Sequence, residues 1–162
     1  EAQEVKGFVE IYNTMTKDDV TPRIDIYAAG PIKSKIGWTV WTINTETWSE
    51  GLAGLTYAPT AWMEVQGIVG IETDKNPARG GVNLWLGKGR VSSLLLQEYG
   101  GSGYWYRYVG TFDTKKGLLV GVDSDRFVGT GLYLEKKFGK ISVWTSIVPT
   151  RKTAIVTGRF NF

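Results

Sequence analysis

The chain of 162 residues contains no cysteine and no histidine. Without cysteine there is no disulfide, no thiolate metal site and no thiol nucleophile. Without histidine the usual general base and the commonest zinc ligand are gone, and a Ser-His-Asp triad is impossible. No apolar run approaches the roughly 18 residues that a transmembrane helix needs. Excess charge of one sign is also lacking. Nineteen basic and sixteen acidic residues leave a net charge of +3, and the lysines and arginines are scattered, which excludes a dense nucleic-acid patch. Two short motifs carry no chemistry either. Gly87-Lys88-Gly89-Arg90 lies between expected strands and lacks the spacing of a phosphate loop. Asp123-Ser124-Asp125 lacks the further ligands of a calcium loop and reads as a solvated loop. No catalytic, cofactor-binding or metal-ligating set is therefore expected.

What is present is glycine, 21 residues, and aromatics, 13% of the chain with seven tryptophans. The dominant pattern is period-two alternation broken by Gly, Pro, Asp and Lys clusters, with no helical stripe. It predicts one domain, 1–162, of about twelve strands, ten or fourteen being the alternatives. These are residues 5–13, 23–30, 36–45, 52–58, 62–73, 81–86, 91–99, 104–112, 118–123, 128–137, 141–148 and 153–162. Strand 36–45 carries Trp38 and Val40 on one face and Trp41 and Ile43 on the other, which a β-bulge would explain. The faces of strand 91–99 are ambiguous.

Alternation alone does not say which face is buried. Strands of about 9–11 residues match the length that crosses hydrocarbon when tilted, whereas soluble strands average about five or six. Aromatics gather near strand ends: Tyr12, Trp48, Tyr57, Trp62, Tyr99, Tyr104, Phe112, Phe138, Phe160 and Phe162. Membrane barrels place such girdles at their interfaces. Connections are short hairpins, and an even number of strands lets the ends meet without an open edge. The last strand alternates Ala154, Val156, Gly158 and Phe160 and ends on Phe162. This resembles the terminal signal of bacterial outer-membrane barrels. Residues 55–62 are similar to the short periplasmic turn of porin-like chains.

The resemblance implies a closed antiparallel up-and-down transmembrane β-barrel in the outer membrane of a Gram-negative-type envelope. The chain does not begin with Met, which fits removal of a secretory signal, and it does not begin with Cys, so no lipoprotein anchor is expected. The expected lipid-facing set is Ile24, Ile26, Val65, Val69, Ile71, Leu84, Val120, Leu132, Val143, Val156, Phe160 and Phe162. The expected pore-lining set is Lys6, Glu10, Arg23, Asp25, Glu64, Gln66, Glu72, Asn83, Arg107, Asp123, Glu135, Lys137 and Arg159. Trp85, Trp105, Trp144, Tyr27 and Tyr133 share the inner face, as space-filling side chains rather than a sugar track. Glu64 and Glu72 lie roughly 27 Å apart along one strand, too far for a glycosidase pair. With Phe162 at the periplasmic rim, Lys33, Lys35, Lys88, Arg90, Lys115, Lys116 and Lys140 fall in periplasmic turns. The opposite loops then carry Asp18, Asp19, Glu46, Glu50, Asp74 and Asp125, the reverse of the common bias. The lining predicts a porin-like channel for small hydrophilic solutes or ions, and its mixed signs predict weak ion selectivity. Partners are lipid or detergent and such solutes, with no nucleic acid. The alternatives are a plugged structural or partner-binding barrel, and a soluble barrel holding an apolar ligand.

Overall fold

The computed structural model describes residues 4–162. In chain order the strands are β1 (Lys6–Met15), β2 (Val20–Lys33), β3 (Ile36–Asn44), β4 (Ser49–Thr60), β5 (Met63–Glu72), β6 (Ala78–Lys88), β7 (Val91–Gly100), β8 (Gly103–Asp113), β9 (Leu118–Asp125), β10 (Gly129–Phe138), β11 (Ile141–Val148) and β12 (Thr153–Asn161). A 3-10 turn, Pro149–Arg151, joins the last two. Each strand pairs antiparallel with its sequence neighbours, and β1 pairs with β12 to close the barrel. Phe162 extends that seam: its N–H donates to Gly7 and its C=O accepts from Gly7, both at 3.0 Å. Gly7 is required there, because a Cβ would meet the Phe162 ring at 2.7 Å.

Several strands are longer than the alternation predicts, because polar residues continue the pattern past the expected turns. Pro31 belongs to β2 and Pro59 to β4, each at a register irregularity, between Pro31 and Lys33 and between Tyr57 and Thr60. Such bulges admit residues that cannot donate to the ladder. No bulge lies within β3, whose pairing with β4 is regular throughout. Its double-sided aromatic character is real: Trp38 and Val40 face outward, while Trp41 packs inside against Phe8 and Tyr27. Asp123 and Asp125 do not form a solvated loop. Both are buried on the inner face of β9. Glu50 likewise leaves the loop end and is buried on β4.

The outer face is aliphatic. Val69 and Ile71 are 71% and 65% exposed, and Ile24, Ile26, Leu132, Val143, Val156, Phe160 and Phe162 are exposed beside them. Val65, Leu84 and Val120 share that face, half-covered by neighbours. Exposed aromatics ring both ends, Tyr57, Trp62, Phe112, Phe138, Phe160 and Phe162 at the end with the C-terminus and Tyr99 and Tyr104 at the other. Two expected members turn inward instead. Tyr12 is buried inside the barrel, and the Trp48 indole donates to Glu72 at 3.1 Å.

The wall bends where inward positions hold glycine. A Cβ at Gly121 would lie 1.9 Å from the Gly110 carbonyl, and one at Gly54 would lie 2.0 Å from that of Gly67. Only a residue without a side chain permits such curvature. Gly121→Ala is therefore expected to lower barrel stability by about 2 kcal/mol, the scale of overpacking. Gly67→Ala, on the outside with nothing within 4 Å of the new Cβ, is expected to be near neutral. The ratio of folded to unfolded bands in cold-detergent gel electrophoresis across a urea series checks both.

Candidate functional site

The interior is identified by contacts between strands that are not neighbours. The Trp144 indole N–H on β11 donates to Glu10 on β1 at 3.2 Å. Gln66 on β5 donates to the Tyr27 hydroxyl on β2 at 3.1 Å. The Arg107 guanidinium of β8 lies over the Trp144 ring at 4.8 Å and the Tyr12 ring at 5.7 Å. These contacts cross the barrel, so the odd or even set that carries them on each strand points inward.

From the end with the chain termini, the lumen opens as a vestibule of about 320 Å³. Trp85, Leu94, Leu96, Val109 and Leu119 line it from β6 to β9, and Phe8, Tyr27 and Trp41 line it from β1 to β3. Glu64, Gln66, Glu135 and Lys137 also line it. Besides its bond to Tyr27, Gln66 donates to Glu64 at 2.8 Å and accepts from Asn83 at 3.2 Å. Lys6 sits at the rim, exposed, 3.9 Å from Glu4.

Arg107, Tyr133 and Arg159 form the floor of the vestibule. This central layer is built from ion pairs between neighbouring positions. Arg107 grips Asp123 through two hydrogen bonds of 3.0 Å. Arg23 grips Asp25 with bonds of 2.7 and 2.5 Å. Arg159 donates to Glu10 at 2.8 Å, and Tyr133 donates to Glu135 at 2.7 Å. Such bidentate pairs fix side-chain planes as well as charge. The guanidinium of Arg23 also stacks on Tyr12 at 4.0 Å. Below this layer Ile43, Leu52, Val148 and Ile155 are at most 4% exposed.

The third layer lies toward the loops. Arg79 Nε is 2.8 Å from Glu98 and 2.9 Å from Glu50, and its Nη1 is 3.2 Å from Glu72. Ser102 donates to Glu72 through its hydroxyl at 2.5 Å and its backbone N–H at 3.0 Å. Asp125 accepts from the Trp105 indole at 3.1 Å and from the backbone N–H groups of Phe127 and Val128.

The thirteen expected lining residues thus occupy inward positions, spread over three layers rather than in one ring. Four further ionic residues join them: Glu50, Arg79, Glu98 and Asp125. Arg79 and Glu50 fall outside the strands that alternation predicts, yet continuing the alternation of Asn83 back by four residues reaches Arg79. Glu98 is hidden because Leu94 and Leu96 make the inner face of β7 as apolar as its outer face. Among the described residues no cluster of three or more acidic side chains has the geometry to hold a metal ion.

No family model matches the chain, and no curated protein sequence does. Solved structures do. The KdgM porin superposes with a TM-score of 0.67 at 13% identity, covering 96% of this chain and 99% of that one. The KdgM porin in complex with disordered oligogalacturonate gives 0.67 at 12% identity, covering 96% and 99%. The NanC porin gives 0.55 at 10% identity, covering 96% and 97%. The fold of this chain is therefore that of a porin β-barrel.

Proposed function

We propose that this protein is a porin-like channel of an outer membrane, passing small hydrophilic solutes or ions through a lumen lined by the residues of these three layers. The observation that carries the reading is the inverted polarity of a closed barrel. Exposed aliphatic side chains cover the outside, while carboxylates and guanidinium groups are buried within. A soluble barrel has the reverse arrangement, because water must meet its polar face. Closure satisfies the backbone wherever hydrocarbon would leave it bare. The outer aliphatic set meets lipid tails in this reading, and the aromatic rings mark the headgroup levels.

Solute access is supported by the vestibule, which is open at the terminal end, and by buried hydroxyls of Thr39, Ser142, Ser146 and Thr157 that have no protein partner. Buried hydroxyls of that kind are normally met by water. Passage beyond the vestibule is narrow, since it must pass Arg107, Tyr12 and Trp144. One observation favours a second reading, a barrel whose lumen is plugged: Tyr12 and Trp144 are 2% and 1% exposed in the central layer.

Reconstitution into planar bilayers separates the two. The channel reading predicts small, discrete conductance steps from the folded wild type. Trp144→Ala removes the indole that fills the central layer and is expected to enlarge those steps, at about 3 kcal/mol of stability. A silent wild type beside a conducting Trp144→Ala variant would establish the plugged barrel and refute the channel.

A further inference from the structure

The charges of the inner wall do not balance. Three carboxylates have an arginine each: Glu10 with Arg159, Asp25 with Arg23, and Asp123 with Arg107. Glu50, Glu72 and Glu98 share the single guanidinium of Arg79. Glu64, Asp125 and Glu135 have no ion-pair partner among the described residues and take hydrogen bonds from the neutral groups of Gln66, Trp105 and Tyr133. Nine carboxyl groups against four guanidinium groups and the two inward lysines, Lys6 and Lys137, leave an acidic excess of three on the wall. Both lysines lie toward the terminal rim, and Lys137 lines the vestibule beside Glu64 and Glu135.

We propose that this excess makes the pore cation-selective, so that it passes potassium-like ions and small organic cations and excludes chloride and anionic solutes. The proposal rests on the channel reading and reverses the weak selectivity expected from the sequence. It stands on placement as much as on number. The lysines of the terminal turns lie in open solvent, where their field is screened within about 8 Å at physiological salt. The carboxylates lie in a narrow passage between low-dielectric walls, where the field is focused and counterions are few. The Arg79 layer shows how far the imbalance goes. The Glu50 side chain is wholly buried, and neither of its carboxylate oxygens receives a hydrogen bond. Arg79 Nε carries one hydrogen and gives it to Glu98 at 2.8 Å. Glu50 therefore sits in the narrow half of the lumen with a single basic neighbour, a guanidinium that it shares with Glu72 and Glu98. Rings of one sign are the usual source of charge selectivity. Here the sign is set by what remains after pairing.

The test is the reversal potential of the folded, full-length protein in a planar bilayer under a potassium chloride gradient. The expected result is a reversal potential displaced toward the potassium equilibrium value, more strongly at low salt than at high. Glu64→Gln and Glu135→Gln break no ion pair, so the double variant folds and is the informative one. Each neutralisation is expected to lower the potassium-to-chloride permeability ratio about fivefold, because a unit charge acting across about 8 Å of water favours the cation and disfavours the anion by the same amount. Neutralising Lys33 and Lys35 in the rim is expected to leave the ratio unchanged. Steps that reverse near zero, or toward chloride, overturn the selectivity while leaving the channel intact. A double variant that keeps the wild-type ratio overturns it equally. Folded, inserted protein that carries no current overturns the channel reading and the selectivity with it.

Discussion

The structure depends on one pairing, that of β1 with β12. An open sheet of alternating strands ends in two rows of unpaired N–H and C=O groups, each costly in a medium that cannot hydrogen-bond. Phe8–Met15 meet Ala154–Asn161 across the seam, and Phe162 adds two more bonds at Gly7. Once the ring is closed, every inward side chain is confined with the others, and every outward one is left to the surroundings. The glycines at tight bends serve this closure. They let the wall turn where a Cβ would strike the neighbouring strand.

Confinement explains the chemistry of the interior. Ionic groups crowded in a lumen must pair, be hydrated, or remain as fixed field. In this barrel Arg23, Arg79, Arg107 and Arg159 are all paired, whereas Glu64, Asp125 and Glu135 take hydrogen bonds from neutral groups. Bidentate pairs of Arg107 with Asp123 and Arg23 with Asp25 are rigid, and they stack on Tyr12 and Trp144, so the central layer is both charged and narrow. The vestibule ahead of it is roomy and partly apolar. The layer behind it gathers three carboxylates on one guanidinium. A passage of this shape has its resistance in the middle and its excess charge along the wall, which is why side-chain packing and net charge are separable properties of the same lumen.

Much of this was legible in the sequence. Strand number, up-and-down order and the inward phase of β5, with Glu64, Gln66 and Glu72 opposite Val65, Val69 and Ile71, follow from period two alone. Where alternation is masked, the sequence says less. Leu94 and Leu96 line the vestibule although they look like outer residues, and Trp41 and Ile43 mimic a bulge in β3. Polar residues at strand ends cannot be told from loop residues by pattern. Glu50, Arg79 and Asp125 were therefore unreadable as lumen groups until pairing extended their strands. Tyr12 and Trp48 look like girdle aromatics by position. Tyr12 follows the inward parity of Glu10 on β1, and the Trp48 indole reaches inside to the Glu72 carboxylate. The shortfall matters, because those omitted residues turn a nearly balanced lining into an anionic one.

The central claim is the direction in which the aliphatic face points. The absence of native cysteine allows single cysteines to be placed at successive positions from Met63 to Ile71, spin-labelled, and studied in lipid vesicles. The account predicts that collisions with dissolved oxygen dominate at 63, 65, 67, 69 and 71, and collisions with a water-soluble nickel chelate at 64 and 66, with strict period two. The opposite phase, or uniform access to the chelate, would contradict it.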